Sequence, residues 1–510
     1  MSDLVLRDVR VVALDDETSD EPVDVLVRAG RIAAVGPGLE VGGDGDGELV
    51  PEVAGEGRYV IPGLWDKHVH MAQWGLSQTR LDTGGTASAG EVLARVQDRL
   101  AWGFDNPTGV LVGWGHRTGR WDRQPTVAEL DAVTGAVPVA LISGDCHHGW
   151  LNTAALRMLG GPETDKVVAE AEWFPLYDRL ERLPGAGEES EFAVARAVQD
   201  AHTQGVVGIV DLEFGRPWEQ WRHRSAEGMP PLRVRTGVYP EGLDTVVAAG
   251  LRTGDPIGAT DGLVTMGPLK VITDGSLNTR TAWCCQPYAD GHLLELPSGA
   301  ANLPADELQS LLTRARGAGL ETALHAIGDA AVSAVLDAFA ATGVSGSVEH
   351  AQLVDPADVL RWAALPQRVV ASVQPAHLLD DRSVTEQCWP DRTDRTFMLR
   401  SFLDAGIELA LGSDAPVAPL DPWLAIAAAV HRGPEGGESW HPEQEIGPRD
   451  ALAAAVDGQR VRVGDRGDLA LLDSDPLGEA GDLTSAERAR RLRYTVVSAT
   501  VLAGTLVHGG

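Results

Sequence analysis

The feature that most constrains this chain of 510 residues is a regular alternation of apolar strand candidates with helical segments. Helical patterns such as 304–318 and 330–342 lie between most of these strands, and an eighth strand candidate leads into His68. Strand–helix repeats form parallel sheets, and eight of them predict an α/β fold of the closed (β/α)8 TIM barrel type. A doubly wound open sheet is the alternative, but no Gly-x-Gly-x-x-Gly follows any strand to support a dinucleotide-binding version. The other seven strand candidates are 206–212, 232–239, 263–273, 321–327, 347–353, 369–374 and 407–412.

Two histidines separated by one residue, His68 and His70, end the first of these strands. Side chains alternate between the two faces of a strand, so both imidazoles point the same way. Neutral imidazole is the commonest protein ligand for metal ions. Alone, this pair is weak support, because two unrelated polar residues at a strand end explain it equally well.

Further candidate ligands lie on or near the ends of later strands. The fourth strand carries Lys270, the fifth and sixth carry His325 and His350, and the eighth is followed by Asp414. Active sites of (β/α)8 barrels lie at the C-terminal ends of their strands, so these side chains are expected to meet. The chain has only three lysines among its 42 basic residues, which makes a lysine within a strand conspicuous. The set predicts a metal centre.

At these motifs the chain resembles the amidohydrolase superfamily, and within it amidohydrolase family 3, the branch that contains N-substituted formamide deformylase. The resemblance extends over nearly the whole chain. The segments that carry it are 61–70, 113–115, 145–152, 270–276, 280–282, 325–329, 349–352, 372–377 and 412–417.

The resemblance implies six metal ligands: His68, His70, Lys270, His325, His350 and Asp414. The first two, with Asp414, would bind the more buried ion, and the two later histidines would bind a second. Lys270 would be carboxylated by CO2 and would bridge the ions. Arginine stays protonated and cannot form a carbamate, whereas a desolvated lysine can. The alternative is an ordinary amine paired with Asp274, with one ion held by His68, His70, a later histidine and Asp414.

The predicted function is that of a metal-dependent amidohydrolase that cleaves a non-peptide C–N bond, such as that of a formamide or related amide, by metal-activated hydroxide. The cofactor would be one or two divalent ions, with Zn2+ expected, and Asp414 would act as general base and then as general acid. A mononuclear deaminase or a cyclic-amide hydrolase on the same scaffold is the alternative. A non-catalytic barrel relative is a remoter one, against which the full ligand set argues.

Substrate-binding residues are predicted beside the same motifs. Tryptophans would offer aromatic walls for an apolar substrate, although core packing is the competing interpretation for each, including Trp65 and Trp283. An arginine would pair with a substrate carboxylate or hold Asp274 in place, and a histidine past the seventh strand would line the pocket or serve structure. These residues are His147, Trp114, Trp150, Arg280 and His377.

The two termini have a different pattern from the barrel. Short strands with turns occur at both ends, which predicts a small β-sandwich domain built from the two termini. Its parts would be 1–58 and 456–510, with the hydrolase barrel at 59–455 and an insertion after the first barrel strand at about 72–205.

Composition limits the partners and the location. A net charge of −32 disfavours nucleic acid and anionic membranes, so a small-molecule substrate is expected. No signal peptide and no run of eighteen apolar residues is seen, so no membrane association is predicted. The four cysteines fit neither a disulfide framework nor a zinc knuckle, which favours a cytoplasmic location. A homodimer is the base-rate expectation.

Overall fold

The computed structural model of this chain describes residues 2–15, 21–40, 50–104, 106–144, 146, 148–478, 481 and 483–509. Within these residues the strands, in chain order, are β1 (Leu4–Val11), β2 (Val23–Arg28), β3 (Arg31–Gly36), β4 (Glu52–Ala54), β5 (Tyr59–Pro62), β6 (Leu64–Val69), β7 (Leu81–Asp82), β8 (Leu111–His116), β9 (Val139–Ser143), β10 (His148–Leu151), β11 (Val168–Ala169), β12 (Val206–Asp211), β13 (Arg233–Val238), β14 (Val264–Ile272), β15 (Thr322–Ala326), β16 (Gly346–His350), β17 (Val369–Val373), β18 (Leu409–Leu411), β19 (Leu469–Leu472), β20 (Val497–Leu502) and β21 (Thr505–His508).

The α-helices are α1 (Met71–Thr79), α2 (Ala89–Trp102), α3 (Val127–Thr134), α4 (Thr153–Leu159), α5 (Glu170–Glu181), α6 (Ala186–Thr203), α7 (Pro217–Ala226), α8 (Leu243–Ala248), α9 (Ala305–Ala318), α10 (Asp329–Thr342), α11 (Pro356–Ala363), α12 (His377–Cys388), α13 (Leu399–Asp404), α14 (Pro422–Val430), α15 (Pro448–Ala453) and α16 (Ser485–Arg493). Short 3-10 helices cover Thr118–Arg120, Pro240–Gly242, Gly291–Leu293, Thr393–Arg395 and Pro442–Gln444. None of the described helices combines the length and the apolar character that crossing a membrane requires.

Eight strands form the predicted parallel barrel. Their order is β18–β17–β16–β15–β14–β13–β12–β6, and every neighbouring pair is parallel. The first and last strands meet where the Asp414 backbone N–H donates to the His68 carbonyl at 2.7 Å. Nearby, the Ser413 N–H donates to the Asp66 carboxylate at 2.9 Å. A Cβ at Gly412 would lie 2.8 Å from the His68 nitrogen, so this closure requires glycine there. The barrel prediction is confirmed.

The second large sheet joins the two ends of the chain. Its order is β21–β20–β19–β5–β1–β2–β3, with β4 beside β1. Strand β1 belongs to both halves of the sheet, because it pairs antiparallel with β2 near its start and parallel with β5 at its end. Strand β19 runs antiparallel to β5, with Leu472 opposite Tyr59. The prediction that both termini build one β structure is confirmed.

The chain divides into two compact units, Met1–His70 with Val198–Asp414 and Leu420–Gly510, and Met71–Ala197 with Ala415–Pro419. The second unit contains a five-stranded sheet in the order β11–β10–β9–β8–β7. Helix α2 begins where the Ser88 hydroxyl accepts the Glu91 N–H at 3.3 Å. The Glu91 carboxylate in turn accepts the Ala87 N–H at 2.9 Å, which completes the start of the helix.

Two predicted substrate-binding tryptophans belong to the hydrophobic cores of this second unit. Trp150 is fully buried and its indole N–H donates to the Thr126 carbonyl at 2.8 Å. Trp114 packs among the buried apolar side chains of β8, β9 and α4. Both rings therefore pack in cores, and their predicted use as substrate walls stays a prediction. A large ring fills core space well, which is why sequence pattern alone could not separate the two uses.

The amino-terminal end of the barrel holds a buried charge cluster around Trp65. Lys67, Arg235 and Arg466 lie over its ring, at 5.0, 4.5 and 5.0 Å from the centroid. All three cations also pair with the one carboxylate of Asp457. A cavity of about 410 Å3 adjoins the cluster, and its lining includes Lys67, Arg235 and Asp457. Trp65 therefore lies at the end of the barrel opposite to the predicted metal ligands and does not form a substrate wall.

Candidate metal centre

Three of the predicted ligands converge at the carboxyl end of β6. The His68 and His70 rings are 5.7 Å apart, centroid to centroid, as expected for side chains on one face. Their Nε2 atoms lie 3.3 and 3.5 Å from the same oxygen, Oδ1 of Asp414. Asp414 reaches this position with a left-handed backbone, φ 56°, just after β18. The barrel closure described above therefore also brings the first and last predicted ligands together.

The donor set fits a divalent cation. Four ligands at 2.0–2.1 Å from a tetrahedral ion lie about 3.3 Å from one another, and the measured Nε2–Oδ1 separations are 3.3 and 3.5 Å. Burial lowers the pKa of His68, which favours the neutral imidazole that a metal needs. Burial works against the charge of Asp414, but His68 and His70 hold its pKa well below the usual range. Burial also works against the charge of His70, but its hydrogen bond with Asp414 raises its pKa, so a bound cation would displace any proton on that imidazole. One carboxylate oxygen and two imidazoles are donors that suit an ion such as Zn2+.

Lys270 lies in this same group of side chains. It is 2% exposed, and its Nζ lies 3.3 Å from Nε2 of His68. Burial lowers its pKa. The alternative pairing with Asp274 is not found, because that carboxylate accepts backbone N–H groups from Trp283, Ile327 and Gly328. The lysine therefore faces the predicted metal ligands.

A second group differs from the expected one. His350, His377 and Asp414 each bring one ligand atom within 4.8 Å of the others. The His325 ring lies 4.5 Å from that of His350, but its Nε2 lies 3.2 Å from the Gly275 carbonyl, and among the described residues it joins neither group. His377 therefore joins His350 and Asp414 in this second group, and the ligand role of His325 stays a prediction. The imidazole of His377 also lies 3.2 Å from the Ser413 carbonyl through its Nε2.

One carboxylate beside the centre was not predicted. Oε2 of Glu349 lies 2.8 Å from Nδ1 of His68, and both side chains are buried. Burial raises the cost of its charge, but the hydrogen bond from His68 lowers its pKa. Alternation along β16 would place Glu349 and His350 on opposite faces. Left-handed backbone at His350 (φ 71°) and Ala351 (φ 43°) turns the chain so that both reach the site.

An aromatic pair beside His70 was also not predicted. The Phe214 ring is 5.3 Å from the His70 ring at an angle of 28°, and 5.1 Å from that of Tyr239. Phe214 is 49% exposed, while the Tyr239 hydroxyl is buried and donates to the Leu212 carbonyl at 2.9 Å. Phe214 follows the end of β12 by three residues. The rule that pocket residues follow strand ends could have found it.

The sequence as a whole matches one family. A model of the amidohydrolase family matches residues 52–508. The chain belongs to the amidohydrolase family. Together with the histidine and aspartate groups above, this makes it a hydrolase of a family whose members include metal-dependent enzymes.

Several proteins resemble this amidohydrolase over most of its length. Protein LONG AFTER FAR-RED 3 of Arabidopsis thaliana is 28% identical, over 84% of this chain and 78% of its own. N-substituted formamide deformylase of Arthrobacter pascens is 26% identical, over 94% of each chain. The crystal structure of an uncharacterized metal-dependent hydrolase from Pyrococcus horikoshii OT3 is 25% identical, with a TM-score of 0.77, covering 93% of this chain and 98% of that one.

The remaining pocket predictions for this amidohydrolase have mixed outcomes. Arg280 donates through Nε to Asp290 at 2.8 Å, so it does not hold Asp274 as expected. Its use for a substrate carboxylate stays a prediction. His147 lies outside the described residues. His377 lies near His350 and Asp414, and its role in binding substrate stays a prediction.

Proposed function

We propose that this amidohydrolase cleaves a non-peptide C–N bond of a small amide, such as an N-substituted formamide, at a centre that binds one or two Zn2+ ions. The observation that carries the proposal is the convergence of the His68 and His70 Nε2 atoms on Oδ1 of Asp414. Lys270 beside His68 supports it, since a carboxylated lysine there would supply a further anionic ligand. The metal-ligand roles of these residues are part of the proposal.

The roles of the side chains follow from their chemistry. A divalent ion of this kind lowers the pKa of a water molecule to about 7, which makes hydroxide available at neutral pH. Asp414 presents Oδ1 to both imidazoles, which leaves Oδ2 to accept the proton of the attacking water. The same carboxyl group then returns that proton to the leaving nitrogen, as general base and then general acid. His68 and His70 would hold the ion.

The substrate class is proposed from the wall beside His70. Phe214 exposes about half of its side chain next to a metal-ligand candidate, and Tyr239 supports its ring from behind. An apolar substituent on the amide nitrogen would pack against that exposed face. The relative from Arthrobacter pascens is named for N-substituted formamides, which supports the same class.

A second candidate is a single-ion deaminase or cyclic-amide hydrolase. One observation favours it: His325 joins neither group of candidate ligands among the described residues, so the second set rests on His377 instead. The number of ions per chain separates the two candidates. A non-catalytic barrel remains the third, and a protein that binds no divalent ion would favour it.

The deciding experiment incubates the purified, zinc-loaded chain with N-benzylformamide and measures release of formate and benzylamine. We expect turnover that His70→Ala abolishes while the circular dichroism spectrum is kept. His223→Ala is the matched control, because that histidine is 71% exposed and pairs with Glu227 on a helix surface. Release of ammonia from amino-substituted heterocycles, without formate release, would support the deaminase instead.

Location and partners are proposed on other grounds. None of the four cysteines, Cys146, Cys284, Cys285 and Cys388, forms a disulfide bond in the structure, which supports a reducing, cytoplasmic location. The acidic net charge of −32 supports a small-molecule partner over nucleic acid or an anionic membrane. A homodimer stays a prediction, which light scattering would test.

A further inference from the structure

The two histidines of the metal-ligand pair are held differently. Nδ1 of His68 lies 2.8 Å from Oε2 of Glu349, whereas Nδ1 of His70 is buried without a hydrogen-bond partner among the described residues. The ring of His70 is instead flanked by Phe214. His68 is therefore held by a hydrogen bond to a carboxylate, whereas His70 is held by packing against an aromatic ring.

The hydrogen bonds around His68 fix which of its nitrogens carries the hydrogen. A carboxylate only accepts hydrogen bonds, so Nδ1 must donate to Glu349. Nε2 then keeps its lone pair, which faces Nζ of Lys270 at 3.3 Å and Oδ1 of Asp414 at 3.3 Å. This tautomer is the one in which Nε2 can bind a metal ion. The contact with Glu349 thus presents the correct nitrogen to the centre.

The position of Glu349 is itself restrained. Its second oxygen, Oε1, accepts a hydrogen bond from the Ser347 hydroxyl, two residues back on the same face of β16. Glu349 is 2% exposed and His68 is 1% exposed, so both side chains are buried, although Glu349 also borders the cavity of about 410 Å3 described above. A buried carboxylate adds little to stability compared with an apolar side chain of similar size. A role at the centre explains its presence better than a role in folding.

The backbone is in an unfavourable conformation directly after Glu349. Left-handed φ values are uncommon for residues other than glycine, and they cluster at functional sites. His350 and Ala351 both have them, at 71° and 43°. Without that turn, a strand would send only one of Glu349 and His350 toward the ligands. In the structure both side chains reach the site: His350 as a candidate ligand, and Glu349 as the hydrogen-bond partner of His68.

We propose that Glu349 is a positioning residue that holds His68 in its metal-binding tautomer and orientation. This inference rests on the metal site of the proposed function. Carboxylates that orient metal-bound histidines are worth about 10–100-fold in metal affinity. We expect Glu349→Ala to weaken Zn2+ and Co2+ binding by about 100-fold. Glu349→Gln, which keeps an acceptor oxygen but loses the charge, should weaken it by about tenfold.

The test measures metal affinity, by competition with a chelating dye, and the visible spectrum of the Co2+-loaded protein. Asp358→Asn is the control, because Asp358 is also a buried carboxylate but pairs with Arg361 on α11. Melting temperatures of the metal-free proteins report any purely structural effect. We expect weaker binding and a changed Co2+ spectrum in the Glu349 variants alone.

The outcomes separate this inference from the proposed function. If Glu349→Gln and Glu349→Ala bind metal with the affinity and the Co2+ spectrum of the wild type, the proposed role of Glu349 is overturned. The metal site of the proposed function would still stand. A wild-type chain that binds no divalent ion would overturn the proposed function itself. If Glu349→Ala does not fold, Glu349→Gln alone decides, since equal affinity in that variant contradicts the proposal.

Discussion

Phe214 stacks on His70, with 5.3 Å between the ring centroids and 28° between the planes. Half of the phenylalanine is exposed, so we expect the ring both to support the imidazole and to offer a surface to a ligand. We expect Phe214→Ala to reduce kcat/KM for N-benzylformamide at least tenfold more than for N-methylformamide. The physical reason is the lost contact between rings, worth about 0.5–1.5 kcal/mol beyond the apolar area that is no longer buried.

The matched control for that comparison is Phe192→Ala, another phenylalanine, which is 67% exposed on α6. It should leave both rates unchanged. An equal loss on the two substrates in Phe214→Ala would mean that the ring supports His70 and does not select the substrate.

The number of metal ions depends on Lys270. We expect about two ions per wild-type chain when the protein is purified with bicarbonate and without chelator, and about one in Lys270→Ala, because a bridging carbamate can no longer form. Inductively coupled plasma mass spectrometry gives the count. Lys166→Ala, a change at an exposed lysine, should keep the wild-type number. A single ion in all three proteins would show that Lys270 is an ordinary amine. It would favour the single-ion deaminase over the two-ion amide hydrolase.

The charge cluster at the amino end of the barrel is expected to contribute to the free energy of unfolding. Asp457 is the shared anion of Lys67, Arg235 and Arg466, and it is buried to 8% exposure of its side chain. Asp457→Asn should lower the free energy of unfolding by about 3–5 kcal/mol, because Lys67 and Arg235 lose their counter-charge and Arg466 keeps only its contact with Asp468. Urea denaturation measures the change.

Glu408→Gln is the comparison for that variant. Its partner Arg368 is 57% exposed and Glu408 is 53% exposed, so the loss should stay within about 1 kcal/mol. Similar losses in the two variants would show that the cluster contributes no more than a surface ion pair.

His202 predicts how stability depends on pH. It is 2% exposed near the end of α6, and burial lowers its pKa to about 4 from the ordinary 6.5. The unfolded chain binds a proton at this residue near pH 6.5, while the folded chain does so only near pH 4. The free energy of unfolding is therefore unaffected by this group above pH 6.5. It falls as the pH drops from 6.5 toward 4, by at most about 3 kcal/mol, because the unfolded chain takes up the proton first.

Urea unfolding of His202→Gln at pH 7, 5.5 and 4 tests that dependence. The variant should lose less stability than the wild type across this range. His223→Ala, at an exposed histidine, should follow the wild-type curve. An unchanged slope in His202→Gln would assign the acid sensitivity to other groups.

The barrel strands could be predicted because each is a short apolar run with clear ends. The candidate at 321–327, for example, contains β15 (Thr322–Ala326), and that at 369–374 contains β17 (Val369–Val373). The convergence of His68 and His70 followed from alternation along β6, which needs no knowledge of the rest of the chain.

The parts of the site that could not be predicted depend on backbone turns and on core packing. Glu349 was missed because the left-handed conformation of His350 cannot be read from the residues Glu-His-Ala. The contacts of His325 with the Gly275 carbonyl and of His377 with the Ser413 carbonyl could not be predicted either, because strand order does not fix which carbonyl each imidazole reaches. The core positions of Trp114 and Trp150 could not be predicted, because neighbouring motifs do not indicate which rings pack in a core.

The closing contact of the barrel has a consequence for folding during synthesis of the chain. The bond from Ser413 to Asp66 joins residues 347 positions apart, and Asp414 reaches His68 through the same closure. A ribosome must therefore release all of the chain from Asp66 to Ser413 before these two edges of the barrel sheet can meet. Until that moment the growing polypeptide carries the early predicted ligands without the carboxylate of Asp414, so the predicted centre can form only after the last barrel strand has been made.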